Sequence, residues 1–264
     1  MPGGTEAAEA AEALLWRCWC EGRTLPALPD DVRPATRAEG YAVQALIERR
    51  SREPLFGWKI AATSREGQAH IGVDGPLAGR LLAERVSPSG AELKLGANRM
   101  RVAEPEFAFR MARDLPPREA PYDVNEVVAA VSTLHPALEV PDSRYDDFTI
   151  VGAPQLIADD ACAHWFVLGP EAPSAWRSVD LAAHAVQGKV TGGVEREGRG
   201  ANVLGDPRTA LTWLTNELSG LGIALRAGQV VTTGTCLAPL PIAEGDEVTA
   251  DFGPLGRVAL RLTR

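Results

Sequence analysis

The most informative stretch of the sequence reads Glu104-Pro105-Glu106-Phe107-Ala108-Phe109-Arg110-Met111. Its alternating character predicts a β-strand, because successive side chains on a strand point to opposite faces of the sheet. One face would carry Phe107 and Phe109, and the other would carry Glu104 and Glu106. The two carboxylates would then lie about 7 Å apart at their Cα atoms, and they would repel each other unless a cation or water lay between them.

A third carboxylate occupies a comparable place in a second predicted strand. Glu139 lies between Leu138 and Val140 in an otherwise apolar run, so its side chain would face away from two core residues. Three glutamates from two strands would form a hard oxygen-ligand set suited to Mg²⁺ or Mn²⁺. A solvated strand face is the alternative, since charged side chains are mostly exposed, and the residues alone leave both interpretations open.

A lysine in an earlier predicted strand is the next candidate. Lys59 lies in Phe56-Gly57-Trp58-Lys59-Ile60, where bulky positions alternate. A lysine withdrawn from water has a lowered pKa and can act as acid or base, whereas beside an anion it can stay charged. The alternative is a surface lysine whose aliphatic stem covers apolar neighbours.

The remaining sequence predicts short helices and strands without a regular βαβ alternation, which favours a mixed α+β fold. Helices should begin after Thr36 and Asp123, each followed three residues later by glutamate, and after Asp206, which is followed by proline. We expect two regions. Residues 1–98 would form an N-terminal helical and αβ region that contributes the lysine strand, and residues 99–264 would form the catalytic core.

Composition and charge narrow the function classes. The chain has 264 residues, of which 45% are hydrophobic and 23% charged, as in ordinary globular proteins. A net charge of −8 provides no basic surface for nucleic acid, and no run reaches the roughly 20 apolar residues of a membrane span. Three glutamates near the start stand where a secretory signal would carry lysine or arginine. The sequence therefore predicts a cytoplasmic protein that binds neither nucleic acid nor membranes.

Several motifs follow one another from about residue 40 to the end of the chain. They include Gly57-Trp58-Lys59-Ile60-Ala61-Ala62-Thr63-Ser64, Glu104-Pro105-Glu106-Phe107-Ala108-Phe109 and segments 71–76, 136–144, 158–161, 166–169 and 213–235. In this order and spacing they resemble the 2-keto-4-pentenoate hydratase and 4-oxalocrotonate decarboxylase group of the fumarylacetoacetate hydrolase superfamily. The resemblance implies an α+β fold built around a mixed β-roll with flanking helices, usually in homo-oligomers.

The resemblance also implies roles for individual residues. These are the metal ligands Glu104, Glu106 and Glu139 for Mg²⁺ or Mn²⁺, the catalytic residues Lys59 and Asp74, and the substrate-binding residues Thr235 and Arg144. A second carboxylate on the substrate would need another cationic anchor, for which Arg80, Arg101 and Arg144 are the candidates.

The activity implied is that of a metal-dependent hydratase that adds water to a 2-hydroxyalka-2,4-dienoate and gives a 4-hydroxy-2-oxo acid. The divalent ion would act as a Lewis acid that stabilises enolate charge. Two alternatives stay open: a 2-oxo-3-enedioate decarboxylase, which needs the same electron sink, and a non-catalytic member that binds a 2-oxo acid. The chain has Asp159-Asp160-Ala161-Cys162 where the family usually has Asp-Asn-Ala-Ser, and this departure lies near the expected pocket.

Overall fold

The computed structural model describes residues 4–264 and consists of helices packed around two mixed β-sheets. The α-helices of the described residues are α1 (Gly4–Glu21), α2 (Arg37–Ala45), α3 (Arg65–His70), α4 (Val124–Ala129), α5 (Ala153–Ala158) and α6 (Pro207–Gly220). The strands are β1 (Gly57–Ala61), β2 (Leu77–Leu81), β3 (Val86–Pro88), β4 (Ala91–Lys94), β5 (Val102–Met111), β6 (Val131–Val140), β7 (Trp165–Leu168), β8 (Ala185–Val190), β9 (Glu195–Arg199), β10 (Val230–Thr235), β11 (Leu240–Pro241), β12 (Glu247–Asp251) and β13 (Arg257–Thr263).

The larger sheet has the strand order β2-β1-β10-β5-β6-β7-β3, and β11 pairs with the beginning of β5. Strand β5 is antiparallel to both of its neighbours, β6 and β10, whereas β1 runs parallel to β10. The smaller sheet has the order β4-β13-β12-β8-β9. The predicted α+β class with a mixed β-roll and flanking helices is confirmed.

The face of β5 opposite its glutamates packs into the core, as the alternation predicts. Phe107 and Phe109 are fully buried. Phe107 meets Phe252 edge to face, with ring centroids 5.0 Å apart, and Phe252 directly follows β12 of the smaller sheet. Each such ring removes apolar surface from water worth about 2 kcal/mol, so these contacts hold the two sheets together and fix which way β5 faces.

Local capping sets the predicted helix starts. Thr36 and Glu39 form a reciprocal capping box at α2, and Asp123 and Glu126 form another at α4. The Asp206 carboxylate accepts a backbone N–H in the first turn of α6, and a proline occupies the first helical position. Each cap contributes about 1 kcal/mol to its helix, and all three predicted starts are confirmed.

Strands from both sides of residue 98 share the larger sheet. Strands β1 and β2 precede this residue and are hydrogen-bonded into the sheet through β10, which comes near the end of the chain. The lysine strand β1 is therefore separated by β10 alone from β5, which carries Glu104 and Glu106, and the division at residue 98 stays a prediction. No helix within residues 4–264 combines the length and apolar character that crossing a bilayer requires.

Candidate active site

The three glutamates converge because of the register between β5 and β6. Glu104 lies directly opposite Glu139, and Glu106 follows two residues later on the same face of β5. One carboxylate oxygen from each lies within 4.8 Å of the others. Glu106 is 0% exposed and Glu139 is 1% exposed, so the solvated-face alternative does not hold for these two side chains.

Strand β10, which pairs with β5, holds Glu106 in place. Its Oε2 accepts hydrogen bonds from the Thr232 hydroxyl and, at 2.8 Å, from the backbone N–H of Gly234. Gly234 has φ +98°, and a Cβ added there would lie 2.1 Å from the Thr63 hydroxyl oxygen. Only glycine fits at this irregularity of β10, which aims the amide of residue 234 at the carboxylate.

The remaining oxygens of two of these carboxylates indicate a cation-binding site. Glu106 Oε1 and Glu139 Oε2 are buried and have no hydrogen-bond partner among the described residues. A buried ionised oxygen without a partner costs several kcal/mol, and a divalent ion would remove that cost. Three carboxylates with no nitrogen or sulfur donor form the ligand chemistry of Mg²⁺ and Mn²⁺, so the residues present fit such an ion.

The pKa values of the glutamates express the same excess of negative charge. Burial, together with the neighbouring Glu139 carboxylate, raises the pKa of Glu104 to about 7. Burial and the two other carboxylates raise the pKa of Glu106 well above its ordinary value. A cation bound among them would favour the charged forms and move these pKa values down.

Lys59 supplies the single positive charge of this cluster. Its Nζ lies 3.0 Å from Glu139 Oε1 and donates a hydrogen bond of 2.8 Å to the carbonyl of Ala161. Burial by itself would lower the pKa of Lys59, but the charges of Glu139 and Glu104 outweigh it and raise the pKa. The side chain is 3% exposed, so it is a buried, charged ammonium and not a surface lysine.

The carbonyl that accepts from the lysine belongs to an unusual turn. Residues 160–162 all have left-handed φ angles, of 52°, 49° and 62°, although none is glycine. Each such residue costs about 1 kcal/mol. The turn is fixed by a 2.6 Å hydrogen bond from the Arg80 backbone N–H to Asp160 Oδ1, and a Cβ on Gly79 would lie 2.5 Å from the Asp160 carbonyl oxygen. The surrounding strands thus hold a strained segment that aims the Ala161 carbonyl at the ammonium.

A cavity of about 820 Å³ opens beside the cluster and is lined mainly by apolar side chains. Three of the predicted site residues, Lys59, Glu104 and Thr235, line it. The Thr235 hydroxyl donates a 2.8 Å hydrogen bond to the carbonyl of Leu237, which leaves the hydroxyl oxygen as an acceptor. The cavity therefore offers an apolar space with charge and a hydroxyl at one end.

Two predicted site residues lie elsewhere. Arg144 is buried, forms an ion pair with Asp159 and stacks over Trp19 at 4.4 Å. The side chain of Asp74 is 92% exposed, and its nearest cation is Arg37 at 3.8 Å. Neither Arg144 nor Asp74 lines the cavity, so their substrate-binding and catalytic roles stay predictions that no cavity contact supports.

A second cation on the cavity lining, besides Lys59, is not among the residues that the sequence predicted. Arg80 is buried, hydrogen-bonded to Glu48 and stacked over Trp58 at 4.6 Å, and Arg101 is exposed outside the cavity lining. Arg99 lines the cavity instead. The sequence does contain a signal for Arg99, because it lies three residues before β5. A residue just before the start of this strand lies close to Glu104, the third residue of the strand.

Comparisons with known proteins show the family of this chain. Residues 81–263 match the fumarylacetoacetate (FAA) hydrolase C-terminal family. The chain is 32% identical over 254 residues to 2-keto-4-pentenoate hydratase 1 of Dechloromonas aromatica strain RCB, with 95% of each chain covered. It is 33% identical to 2-hydroxyhexa-2,4-dienoate hydratase of Comamonas testosteroni, covering 94% of this chain and 95% of that protein.

A solved structure matches over almost the whole chain. It is the 4-oxalocrotonate decarboxylase from Pseudomonas putida G7, complexed with magnesium and adipate, with a TM-score of 0.88, 28% identity and 97% of each chain covered. The family match spans more than half of the sequence, and the relatives span nearly all of it. The resemblance seen in the sequence is confirmed: the chain belongs to the fumarylacetoacetate hydrolase family.

Proposed function

We propose that this protein is a divalent-metal-dependent hydro-lyase that adds water to a 2-hydroxyalka-2,4-dienoate and gives a 4-hydroxy-2-oxo acid. The observation that carries the proposal is the convergence of Glu104, Glu106 and Glu139, with unpartnered buried oxygens, beside a charged lysine at the end of a cavity. The hydratases that match the chain over nearly its full length support this reaction class.

The glutamates would hold Mg²⁺ or Mn²⁺ through their oxygens. When bound, the ion supplies a Lewis acid that stabilises the enolate charge of a 2-oxo acid. The solved relative that contains magnesium supports Mg²⁺. Glu106 is held by Thr232 and Gly234 through one oxygen only, so its other oxygen stays available as a ligand.

The chain's own residues would hold a proton near the substrate and keep bulk water away from it. Hydration of the dienol places a proton at C5 and hydroxide at C4, and the product ketone forms as the 2-hydroxyl loses its proton and C3 gains one. Lys59 carries a proton at Nζ, lines the cavity and is held from behind by Glu139 and the Ala161 carbonyl. Its ammonium can donate a hydrogen bond to a substrate oxygen, and the Thr235 hydroxyl oxygen can accept one in the same cavity. The apolar lining would keep bulk water from the diene.

A second candidate activity is decarboxylation of a 2-oxo-3-enedioate. It uses the same electron sink, since the electrons left by departing CO₂ also move to the C2 oxygen. Arg99 on the cavity lining favours it, because a dicarboxylic substrate needs a second cation. The solved relative that matches along 97% of the chain is a decarboxylase.

Steady-state assays of the purified protein test the proposal. After treatment with a chelator, we expect 2-hydroxypenta-2,4-dienoate to be consumed only once Mg²⁺ or Mn²⁺ is restored. Release of CO₂ from 2-oxo-3-hexenedioate, without hydration of the dienoate, would favour the second activity. Metal-dependent binding of oxalate without turnover of either substrate would instead indicate the non-catalytic alternative, and the hydratase proposal would fail.

We also propose a cytoplasmic location and a homo-oligomeric state. The four cysteines are free, as is usual in a reducing compartment, and this supports the first; the resemblance to the family supports the second. Light scattering of the purified protein at several concentrations tests the assembly: a monomer's mass at every concentration would contradict it.

A further inference from the structure

We propose that Arg99 binds a second, terminal carboxylate of the substrate and makes the cavity selective for dicarboxylic 2-oxo or 2-hydroxydienoic acids. This inference rests on the proposed function, because the glutamate cluster and its metal would bind the other end of the same molecule. It assigns a substrate class to the site and a specificity-determining role to one side chain.

The first argument is the charge of the cavity. Six ionisable side chains line it: Lys59, Glu66, His70, Arg99, Glu104 and Cys162. Lys59 and Glu104 belong to the metal end, where the lysine is paired with Glu139. Arg99 is exposed, and among residues 4–264 its guanidinium makes neither an ion pair nor a hydrogen bond. Its charge is therefore available to a ligand in the cavity.

The second argument is how the backbone of Arg99 is held. Its N–H donates a 2.9 Å hydrogen bond to Asp142 Oδ1, and the side chain of the preceding Asn98 donates one of 2.8 Å to the carbonyl of Pro141. Pro141 and Asp142 directly follow β6, the strand that carries Glu139. The cation is thus tied to the strand that holds one of the candidate metal ligands, so the two ends of a substrate would meet groups fixed on one scaffold.

The third argument is size and chemistry. A cavity of about 820 Å³ lies in the upper part of the usual range for small-molecule sites, about 300–1,000 Å³. A five-carbon dienoate at the metal end would leave much of it empty. A longer acid would cross the apolar middle, and its terminal carboxylate could accept two parallel hydrogen bonds from a guanidinium.

Glu66 provides a second way to test whether charge in the cavity controls the binding of a second carboxylate. Its exposed carboxylate also lines the cavity and makes no ion pair among the described residues. It would repel a second carboxylate, whereas Arg99 would attract it. Neutralising these two residues should therefore change the affinity for a dicarboxylate in opposite directions.

The experiment is calorimetric titration of the Mg²⁺-loaded protein with 2-oxohexanoate and 2-oxohexanedioate. These acids share a chain length and a metal-binding end, and they differ only in the second carboxylate. We expect the wild-type protein to bind the diacid about fivefold more tightly, the effect of one partly exposed charge pair. Arg99→Gln should abolish that preference and leave binding of the monoacid unchanged. Arg99→Lys should keep part of it, and Glu66→Gln should increase it.

Arg101→Gln is the matched control, because it removes the same charge from an exposed position two residues away that does not line the cavity. It should leave both affinities unchanged, and a loss of preference equal to that of Arg99→Gln would overturn the proposal. Equal binding of both acids by the wild type would overturn it while leaving the proposed function intact. No binding of either acid would overturn the proposed function and this inference together.

Discussion

Two buried clusters of charged side chains lie close together in this protein but are balanced differently. The acidic cluster consists of Glu104, Glu106, Glu139 and Lys59, and the arginine cluster consists of Ser143, Arg144 and Asp159. The acidic cluster sets three carboxylates against one ammonium and leaves buried oxygens without hydrogen-bond partners. The arginine cluster sets one guanidinium against one carboxylate.

Every charged group of the arginine cluster is satisfied from within the chain. Asp159 accepts from Arg144 and, at 2.7 Å, from the Ser143 hydroxyl. Arg144 also donates to the carbonyls of Asp142 and Ala163, each at 2.9 Å. The difference teaches that burial of charge does not by itself identify a functional site. Buried charges that are paired and hydrogen-bonded need no ligand, whereas an unbalanced excess of one sign is tolerated where a ligand completes it.

The largest difference between the two clusters should appear when a carboxylate of the acidic cluster is removed. We expect Glu106→Gln to lower kcat/KM by at least about a thousandfold, since a neutral amide is a poor ligand for a hard cation and several kcal/mol of charge stabilisation depends on that cation. The free energy of unfolding of the metal-free protein should stay the same or rise, because one buried charge disappears. Kinetics and urea denaturation measure the two effects, and a destabilised protein with normal activity would contradict the expectation.

Removing the carboxylate of the arginine cluster should instead destabilise the fold. We expect Asp159→Ala to lower the free energy of unfolding by about 3 kcal/mol, because it leaves Arg144 charged, buried and unpaired. The double variant with Arg144→Met serves as the control and should lose less stability than Asp159→Ala alone, since no orphaned charge remains. A stability near that of the wild type for Asp159→Ala would show that the arginine cluster is not structural.

A substitution of Lys59 would show whether turnover and metal binding depend on different members of the acidic cluster. We expect Lys59→Met to lower kcat about a hundredfold, the usual contribution of a positioned proton donor, while calorimetric affinity for Mg²⁺ changes little, because the ammonium is not a metal ligand. Glu139 loses its cation in this variant, and a metal ion bound among the glutamates would compensate for that loss. An equal loss of metal affinity and of kcat would mean that Lys59 acts only by holding Glu139 in place.

The sequence identified the members of the acidic cluster because that information is local, although the residues alone left a solvated strand face open as the alternative. The alternation around Glu104 and Glu106 predicts their shared face, and Glu139 interrupts an apolar run. It did not reveal that Glu104 stands directly opposite Glu139, which depends on pairing across two strands. Residue type also could not separate Arg99 from Arg144, since one faces a cavity and the other a buried carboxylate only after the chain has folded.

Asp160 lies between the two clusters along the chain, so its protonation depends on whether the charges of both clusters act on it. It follows Asp159 of the arginine cluster and precedes Ala161, whose carbonyl accepts from Lys59. Burial raises the pKa of Asp160 to about 7, although the hydrogen bond from the Arg80 backbone N–H acts in the other direction. Its second oxygen has no hydrogen-bond partner among the described residues. The family usually has asparagine here, which is neutral at every pH.

We therefore expect Asp160→Asn to remove a pH dependence from the stability of the protein. Because the folded-state pKa lies above the unfolded value of about 3.9, the carboxyl favours folding in acid, and that contribution is lost as the pH rises through 7. Between pH 5 and pH 8 the free energy of unfolding of the wild type should fall by about 2.5 kcal/mol relative to that of the variant. Urea denaturation at both pH values measures this, with the exposed Asp31→Asn as a control that should not change the slope. Parallel pH profiles for the wild type and Asp160→Asn would mean that Asp160 is already ionised at pH 5, held by the positive charges of both clusters, which would then form one electrostatic unit.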